Sequence, residues 1–404
     1  MMKANIFITI ITLLVISTFY SCEKVTVDKA EKLDYFMKLY GNYFNDRLNG
    51  IDITNDGRII IAGDRVLEEG NLEGWLVITD QEGMVEQERT YNLDNDVRVF
   101  SAYFRQNSYF TACEMTPTGE HNAWVLVYDE SMNFTDSLAF SVDIETVLGI
   151  AFLQHSDQVR FLLHGNNGLT DEVIIYEIGT DNAVHLISRN EMYGELQGRL
   201  YVHETTNDVL YLAGSVPEVA GQSGPDAKSN IMVSCMMDDN LVWSYSLGEP
   251  NVSELCSGVV LVNDYLLVGG SQKLSEEHHF ADNLFIYELN NYGQLQATYD
   301  VETNAMSRSY QMMLNGENEL VWTGESKVDE RTIHIFMART TLNGQVILET
   351  EYGDRGYSSG RRITMLPGVD RGFLLSGILS TSGVSEDAND VLVIKVDQNG
   401  DWIE

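Results

Sequence analysis

A short strand-like segment recurs seven times along the chain and constrains its fold more than any other feature. The first copy reads Ile59-Ile60-Ile61-Ala62-Gly63, an apolar run closed by glycine. The later copies lie about fifty residues apart, a spacing typical of repeats with several short strands per unit, and close at Cys113, Gly165, Gly214, Gly269, Gly324 and Gly377. This period predicts an all-β fold, a seven-bladed β-propeller with one blade for each copy.

Each repeat unit has the pattern of four antiparallel strands. In the first unit the sequence predicts them over residues 48–54, 59–63, 75–80 and 86–91, with turn residues between them. The second and third strands are continuously apolar, as expected for strands covered on both faces. The fourth is more polar, which suits the outer edge of a blade.

The two ends of the repeat array complement each other. Residues 35–41 resemble a fourth strand with no blade of its own, while the sequence ends with residues 401–404, where a fourth strand should begin. We therefore predict that the N-terminal strand completes the last blade and removes its exposed edge. The propeller would span residues 33–404 as a single domain.

The first 21 residues predict a secretory signal peptide. Lys3 precedes an apolar run from Ile6 to Tyr20, and Ser21 stands directly before Cys22. The segment resembles the loose lipobox of Bacteroidota lipoproteins, although Phe19 and Tyr20 depart from the usual residues. The resemblance implies a lipidated Cys22, a tether over residues 22–32 and a location on the outer membrane, facing the cell surface. An ordinary cleaved signal with a chance cysteine is the alternative.

The charge balance limits the classes of partner. The chain has 25 Lys and Arg against 61 Asp and Glu, a formal net charge of −36. Nucleic acids and anionic head groups would repel such a chain, so no nucleic-acid partner is predicted. Beyond Cys22, the widely spaced residues Cys113, Cys235 and Cys256 suggest neither a disulfide framework nor a metal site. Cys113 and Cys235 fall on predicted inner strands, where buried apolar positions are expected.

Long and variable connections between second and third strands suggest the face that carries function. They are predicted over residues 64–74, 215–230, 271–283 and 378–390, whereas the opposite face has mostly tight turns. Aromatic and cationic residues in these loops or in the crossings between units could stack on sugar rings or anchor a peptide. The candidate ligand-binding residues are Tyr43, Phe44, Arg47, Tyr193, Phe280, Arg355 and Tyr357. Simple packing of the loops is the alternative.

Acidic residues near the start of the first strand form another recurring feature, at Asp46, Asp96, Glu145, Glu195 and Glu254. Around one channel mouth they could hold Ca²⁺. Accepting backbone N–H groups at blade junctions explains them better, so no metal site is predicted. The chain also shows no motif for a catalytic residue set or a cofactor.

Two stretches carry a resemblance to a known repeat family. Asp56-Gly57-Arg58 followed by the first apolar strand, and Leu392–Val396 followed by Asp397-Gln398-Asn399-Gly400, resemble bacterial β-propeller repeats of the SBBP type. Such repeats imply a propeller in an extracytoplasmic location, often in Bacteroidota lipoproteins. They bring no catalytic motif.

These observations favour a surface lipoprotein that acts as a non-catalytic binding or accessory subunit, capturing a glycan or peptide beside an outer-membrane transporter. A glycan-cleaving propeller enzyme with paired carboxylates is one alternative. A structural subunit of an envelope assembly is another. The expected partners are the membrane, through the lipid anchor, and an outer-membrane transporter or envelope complex.

Overall fold

The fold is known from a computed structural model. It describes residues 35–402 except 42–44, 68–69, 92–95, 117–121, 142–143, 155–157, 169, 193–195, 197, 219–227, 250–251, 274–282, 305, 329–331, 354–356, 368–371 and 381–388. The predicted signal peptide, Cys22 and the tether lie outside this part. Residues Tyr35–Glu404 form one compact unit.

The described residues contain 28 strands and no helix, so no helical segment among them could cross a bilayer. After β1 (Phe36–Tyr40), strands 2 to 21 form five antiparallel four-stranded sheets in chain order. The first two sheets are β2 (Asn45–Ile53), β3 (Ile59–Val66), β4 (Leu72–Thr79), β5 (Val85–Tyr91), then β6 (Asp96–Arg105), β7 (Ser108–Thr116), β8 (Asn122–Asp129), β9 (Phe134–Ser141).

The next three sheets repeat this order. They are β10 (Thr146–Leu153), β11 (Val159–Asn166), β12 (Asp171–Ile178), β13 (Val184–Glu191), then β14 (Tyr201–Glu204), β15 (Leu210–Pro217), β16 (Ser229–Met237), β17 (Asn240–Leu247), then β18 (Ser253–Val262), β19 (Tyr265–Lys273), β20 (Asn283–Leu289), β21 (Leu295–Val301).

The remaining strands share one eight-stranded sheet. They are β22 (Met306–Leu314), β23 (Leu320–Lys327), β24 (Ile333–Thr340), β25 (Val346–Tyr352), β26 (Tyr357–Met365), β27 (Phe373–Ser380) and β28 (Asn389–Val396), together with β1. The antiparallel groups β22–β25 and β26–β28–β1 meet at one parallel pair, Ile333 with Tyr357. The sequence predicted separate sheets for the last two units.

The predicted repeat of four-stranded antiparallel units is confirmed. All seven repeated positions lie in the second strand of a group, from Gly63 in β3 to Gly377 in β27. The N-terminal strand also pairs as predicted, antiparallel to β28, with Phe36 opposite Lys395 and Tyr40 opposite Val391.

The core lies between successive groups. One cluster packs Ile60 of the first group against Val97 and Tyr109 of the second. Another packs Phe36 and Val391 of the last group against Trp75 of the first. Since the last group contacts the first, the groups follow one another in a closed circle. Cys113, Cys235 and Cys256 are buried free thiols within this arrangement.

Gly63 lies against a β-bulge in the neighbouring first strand, a bulge that in the second group faces Cys113. Pairing of β2 with β3 slips between Leu48 and Gly50, and a Cβ on Gly63 would lie 1.9 Å from the Arg47 carbonyl oxygen. In the fifth group this place belongs to Gly270, which pairs with Cys256 at the bulge. The assignment of Gly269 to the repeat is therefore wrong by one residue.

The connection predicted over residues 64–74 is shorter than expected. The β3–β4 ladder continues beyond Gly63, pairing Asp64 with Gly74 and Arg65 with Glu73. These polar residues suggested a loop, yet Asp64 and Arg65 are buried. Arg65 Nε donates to Asp46 at 3.1 Å, an ion pair that lets charged residues continue the strand.

Candidate functional site

The first strands of the groups converge on one cavity of about 660 Å³. We call it the inner cavity; its lining comes mainly from β2, β6, β10, β26 and the segment 198–202 at β14. Its charged lining residues are Arg47, Asp52, Asp64, Arg98, Arg199 and Arg362. Four arginines against two aspartates make this lining cationic, in a chain whose formal net charge is −36.

Arginine recurs at one position along the first strand of several groups, the step that pairs with the residue after the repeated Gly or Cys. Arg47 pairs in register with Asp64, Arg98 with Glu114, and Arg308 with Glu325. Arg47 and Arg98 of these three line the inner cavity, whereas the lining residue Arg362 pairs with Ser376 at a different step.

Arg199 occupies the same step in the fourth group. Its carbonyl oxygen is the backbone atom nearest to a Cβ built on Gly214, at 3.3 Å, as the Arg47 carbonyl is for Gly63. Each of the four arginines precedes its repeated Gly or Cys by fifteen or sixteen residues. This spacing is visible in the sequence and could have revealed the arginines.

Asp64 is a buried carboxylate at the edge of the inner cavity. Burial raises its pKa to about 6, opposed by the charges of Arg98 and Arg47 and by a hydrogen bond from the Asn49 amide. The same amide donates to the Val99 carbonyl at 2.7 Å, which ties the first group to the second. Asp64 is thus held by the scaffold and offsets only part of the arginine charge.

Asp52 lies further along β2 and also lines the inner cavity. Burial raises its pKa to about 6, although the backbone N–H groups of Ile53 and Phe104 stabilise the charged form. Both carboxyl groups of the lining therefore titrate nearer to neutral pH than an exposed aspartate.

His164 adds an open hydrogen-bonding atom to the same lining. The side chain is 1% exposed, and its Nε2 lies 3.1 Å from Asp171 Oδ2. Within the described residues its Nδ1 has no hydrogen-bond partner. The facing position in β10 is Gly149, where an added Cβ would meet no atom within 4 Å.

The state of the His164 ring follows from Asp171. Burial raises the pKa of Asp171, but hydrogen bonds from His164, the Leu196 N–H and Asn166 together hold it below its usual range. In the neutral tautomer whose Nε2–H is donated to this carboxylate, Nδ1 is an acceptor. Other groups carry small residues at this step, such as Ala62 and Ala112.

Aromatic rings complete the lining of the inner cavity. Phe100, Tyr103 and Phe152 line it, and the rings of Tyr103 and Phe152 stack with centroids 5.5 Å apart. The Arg98 guanidinium lies 5.9 Å from the centre of the Phe100 ring. The inner cavity thus combines cations, a hydrogen-bond acceptor and apolar ring surfaces.

The structure describes two of the predicted ligand-binding residues. Arg47 lies in β2, exposed, and lines the inner cavity. Tyr357 begins β26 and donates to Glu325 Oε1 at 2.7 Å, an atom that also accepts from Tyr310 and Ser359. Burial and the charge of Glu325 raise the pKa of Tyr357.

Arg47 and Tyr357 therefore belong to different clusters. The hydroxyl of Tyr357 is used in holding β23 to β26, so this tyrosine has a structural contact. The other predicted ligand-binding residues lie outside the described residues, as does the lipidation residue: Tyr43, Phe44, Tyr193, Phe280, Arg355 and Cys22. Arg98, Arg199, Arg362 and His164 were not predicted.

The acids near the first strands hold neighbouring strands together. Asp96 accepts the Leu72 N–H at 2.8 Å, and the buried Glu254 accepts the Tyr287 hydroxyl at 2.6 Å. Asp46 is ion-paired with Arg65, Glu145 is exposed, and Glu195 lies outside the described residues. Over the described ranges, no three metal-ligating side chains form a cluster.

No family model matches the chain, and no curated protein matches its sequence. Among solved structures, the AfRom2 CNH domain is 10% identical with a TM-score of 0.47, over 89% of this chain and 98% of that one. BBS1N, solved in complex with ARL6DN, is 8% identical with a TM-score of 0.49, over 90% and 96%.

A protein of unknown function from Dyadobacter fermentans DSM 18053 is 10% identical with a TM-score of 0.46, over 89% of this chain and 98% of that one. The CNH domain and BBS1N are β-propeller-like domains. Likenesses at these TM-scores carry no argument about function.

Proposed function

We propose that the chain is a seven-bladed β-propeller in which the eight-stranded sheet counts as two blades. The apolar clusters support this count. Successive groups share one cluster each, and the circle includes separate clusters between β18–β21 and β22–β25, between β22–β25 and the last group, and between the last group and the first. The single parallel pair then joins two adjacent blades at the first residues of β24 and β26.

We propose that this propeller is a non-catalytic binding or accessory subunit whose ligand reaches the inner cavity. The cationic lining of that cavity carries the proposal, because the charge there is opposite to that of the whole chain. A cluster of guanidinium groups lining one cavity favours a ligand with an anionic group. A volume of about 660 Å³ is within the range of small-molecule sites.

The proposed location is the outer membrane, with the protein anchored through a lipidated Cys22 and presented at the cell surface. The signal-like residues 1–21 before Cys22 support it. There the protein would capture a glycan or peptide beside an outer-membrane transporter, or act within an envelope complex. Replacing Cys22 with Ala in cells should move the protein from the membrane fraction to the soluble fraction; unchanged fractionation would remove the lipid anchor from the proposal.

One observation favours the enzyme alternative. Asp52 and Asp64 line the same cavity, and burial raises the pKa of each to about 6, as a general acid in glycan cleavage requires. The purified full-length chain, incubated with a glycan and peptide library, separates the two functions. Products seen by mass spectrometry and lost in Asp64→Asn would favour the enzyme.

Binding is measured with the same library by thermal unfolding. A ligand of the inner cavity should stabilise the wild type and Arg89→Gln, which removes a charge from the exposed outer strand β5. It should stabilise Arg199→Gln much less. Equal stabilisation of all three proteins would place the ligand elsewhere and overturn the assignment of the inner cavity.

A further inference from the structure

We infer that the ligand group bound in the inner cavity is a sugar acid, a pyranose ring that carries a carboxylate and free hydroxyl groups. The inference rests on the proposed binding function and narrows its ligand from glycan or peptide to an acidic glycan. Three features of the lining carry it: an arginine without an ion pair, a buried acceptor without a donor, and aromatic rings in the same cavity.

The carboxylate is matched by Arg199. This residue lies in the lining, and its guanidinium lies 5.3 Å from the centre of the Tyr201 ring. Within the described residues it forms no ion pair, in contrast to Arg65 and Arg339, which are salt-bridged. A planar guanidinium held against an aromatic ring is arranged to bind a carboxylate through two parallel hydrogen bonds.

The other arginines raise the affinity of the inner cavity for an anion. Arg47 and Arg98 both interact with Asp64, which leaves one carboxylate between two cations. Arg362 Nε donates to the Asn49 carbonyl at 3.1 Å, a contact that leaves its charge unneutralised. The net charge around the ligand is therefore positive.

The hydroxyl group is matched by His164. In the neutral tautomer that directs Nε2–H to Asp171, Nδ1 is an acceptor, and burying it without a donor costs free energy. A sugar hydroxyl supplies that donor. The space for it exists, because a Cβ on Gly149 or on Gly198 would meet no atom within 4 Å.

The ring surfaces distinguish a sugar from a small flexible acid. Phe100 and the stacked pair of Tyr103 and Phe152 also line the inner cavity. Pyranose rings stack on such faces through their C–H groups. One sugar acid brings carboxylate, hydroxyl and ring face together, whereas an acidic peptide needs separate residues for these contacts within one cavity.

Calorimetric titration of the full-length protein tests the inference with matched probes. The sugar acids are galacturonate, glucuronate and mannuronate. Galactose lacks the carboxylate, cyclohexanecarboxylate lacks the hydroxyls, and the dipeptide Glu-Glu represents an acidic peptide. We expect at least one uronate to bind about tenfold or more tightly than either control, since galactose leaves Arg199 without a carboxylate and cyclohexanecarboxylate leaves the buried His164 Nδ1 without a donor.

Variants locate the binding. Arg199→Gln should weaken uronate binding by about tenfold or more and leave galactose binding unchanged, whereas Arg89→Gln should bind uronate like the wild type. A circular dichroism spectrum and melting temperature equal to those of the wild type would show that Arg199→Gln is folded.

The outcomes separate this inference from the proposed function. If Glu-Glu or cyclohexanecarboxylate binds as tightly as every uronate and needs Arg199, the inner cavity binds anions but the sugar acid is wrong. If no uronate binds at roughly millimolar concentration, the sugar acid is likewise overturned. The proposed function fails separately, when no library ligand distinguishes Arg199→Gln from the wild type.

Discussion

The first strands, which line the inner cavity, form the inner edges of the sheets, and the fourth strands form the outer edges. The two edges obey different constraints. The inner strand β2 has a bulge, a buried aspartate and an asparagine that bonds to the next group at 2.7 Å. The outer strand β13 is mostly exposed, and its Leu186 is 58% accessible to solvent. Backbone geometry at the inner edge preserves the sequence repeat, whereas the outer edge needs only strand-forming residues.

Removing β1 should have the largest effect on stability, because β1 is the outer strand of the last group and its side chains also pack against the first group. Phe36 and Tyr40 are buried between the last and first groups, and the Tyr40 hydroxyl donates to the Gly83 carbonyl at 2.7 Å. Deleting residues 33–41 should lower the free energy of unfolding by about 5 kcal/mol or more, the loss of two buried aromatic side chains. Urea denaturation measures this loss.

The matched control on the same strand is Leu39→Ser. Leu39 is 50% exposed, so this variant should stay within about 0.5 kcal/mol of the wild type. A deletion variant that unfolds at the same urea concentration as Leu39→Ser would show that β1 does not close the circle.

Gly63→Ala tests the geometry of the inner edge. The new Cβ would lie 1.9 Å from the Arg47 carbonyl oxygen, so strand β2 or β3 must shift. We expect a loss of about 3 kcal/mol in the free energy of unfolding. Gly149→Ala, also at the inner edge but without neighbours within 4 Å, should be neutral or gain about 0.5 kcal/mol. Similar losses for both would mean that the bulge does not select glycine.

Asp64→Asn tests the electrostatics of the inner edge. Because burial raises the pKa of Asp64 to about 6, the folded protein holds this proton more tightly than the unfolded chain. Stability from this group is therefore full below about pH 4 and falls as pH rises to about 6. The unfolding free energy of the variant relative to the wild type should rise by about 2 kcal/mol across this window. A pH-independent difference would contradict the raised pKa.

Leu186→Ser on β13 should have the smallest effect. The side chain points to solvent from an outer strand, so the change in unfolding free energy should stay within about 0.5 kcal/mol. Ile60→Ala in β3, where the side chain is fully buried, should cost about 2 kcal/mol or more. Comparable losses at these two positions would erase the distinction between the edges.

The regular part of the fold could be predicted because apolar runs and turn glycines are local signals. The continuous second strands, the turns and the pairing of the two chain ends all followed from them. The length of β3 did not, because Asp64 and Arg65 look like loop residues until Asp46 is seen beside Arg65. The choice between Gly269 and Gly270 depends on bulge register, which composition does not reveal.

The candidate site was predicted less well, because ligand-binding residues were expected in loops, whereas most residues that line the inner cavity lie in strands. Arg47 was found for its position at a crossing between units. Arg98 and Arg199 lie at the same step in other groups and were visible only as a spacing to the repeated glycine. No sequence pattern marked His164, since its candidate role in binding depends on the contact with Asp171 and on the empty space at Gly149.

The pairing of β1 with β28 also sets the order in which the protein can mature. β1 begins at Phe36, and its partner strand β28 ends at Val396, about 360 residues later. At roughly 5–20 residues per second, synthesis of this interval takes on the order of 20–70 s. During this time β1 has no partner and the unfinished array keeps open edges. The last group is therefore completed only after β28 has been synthesised, and until then its open edge is available for premature association.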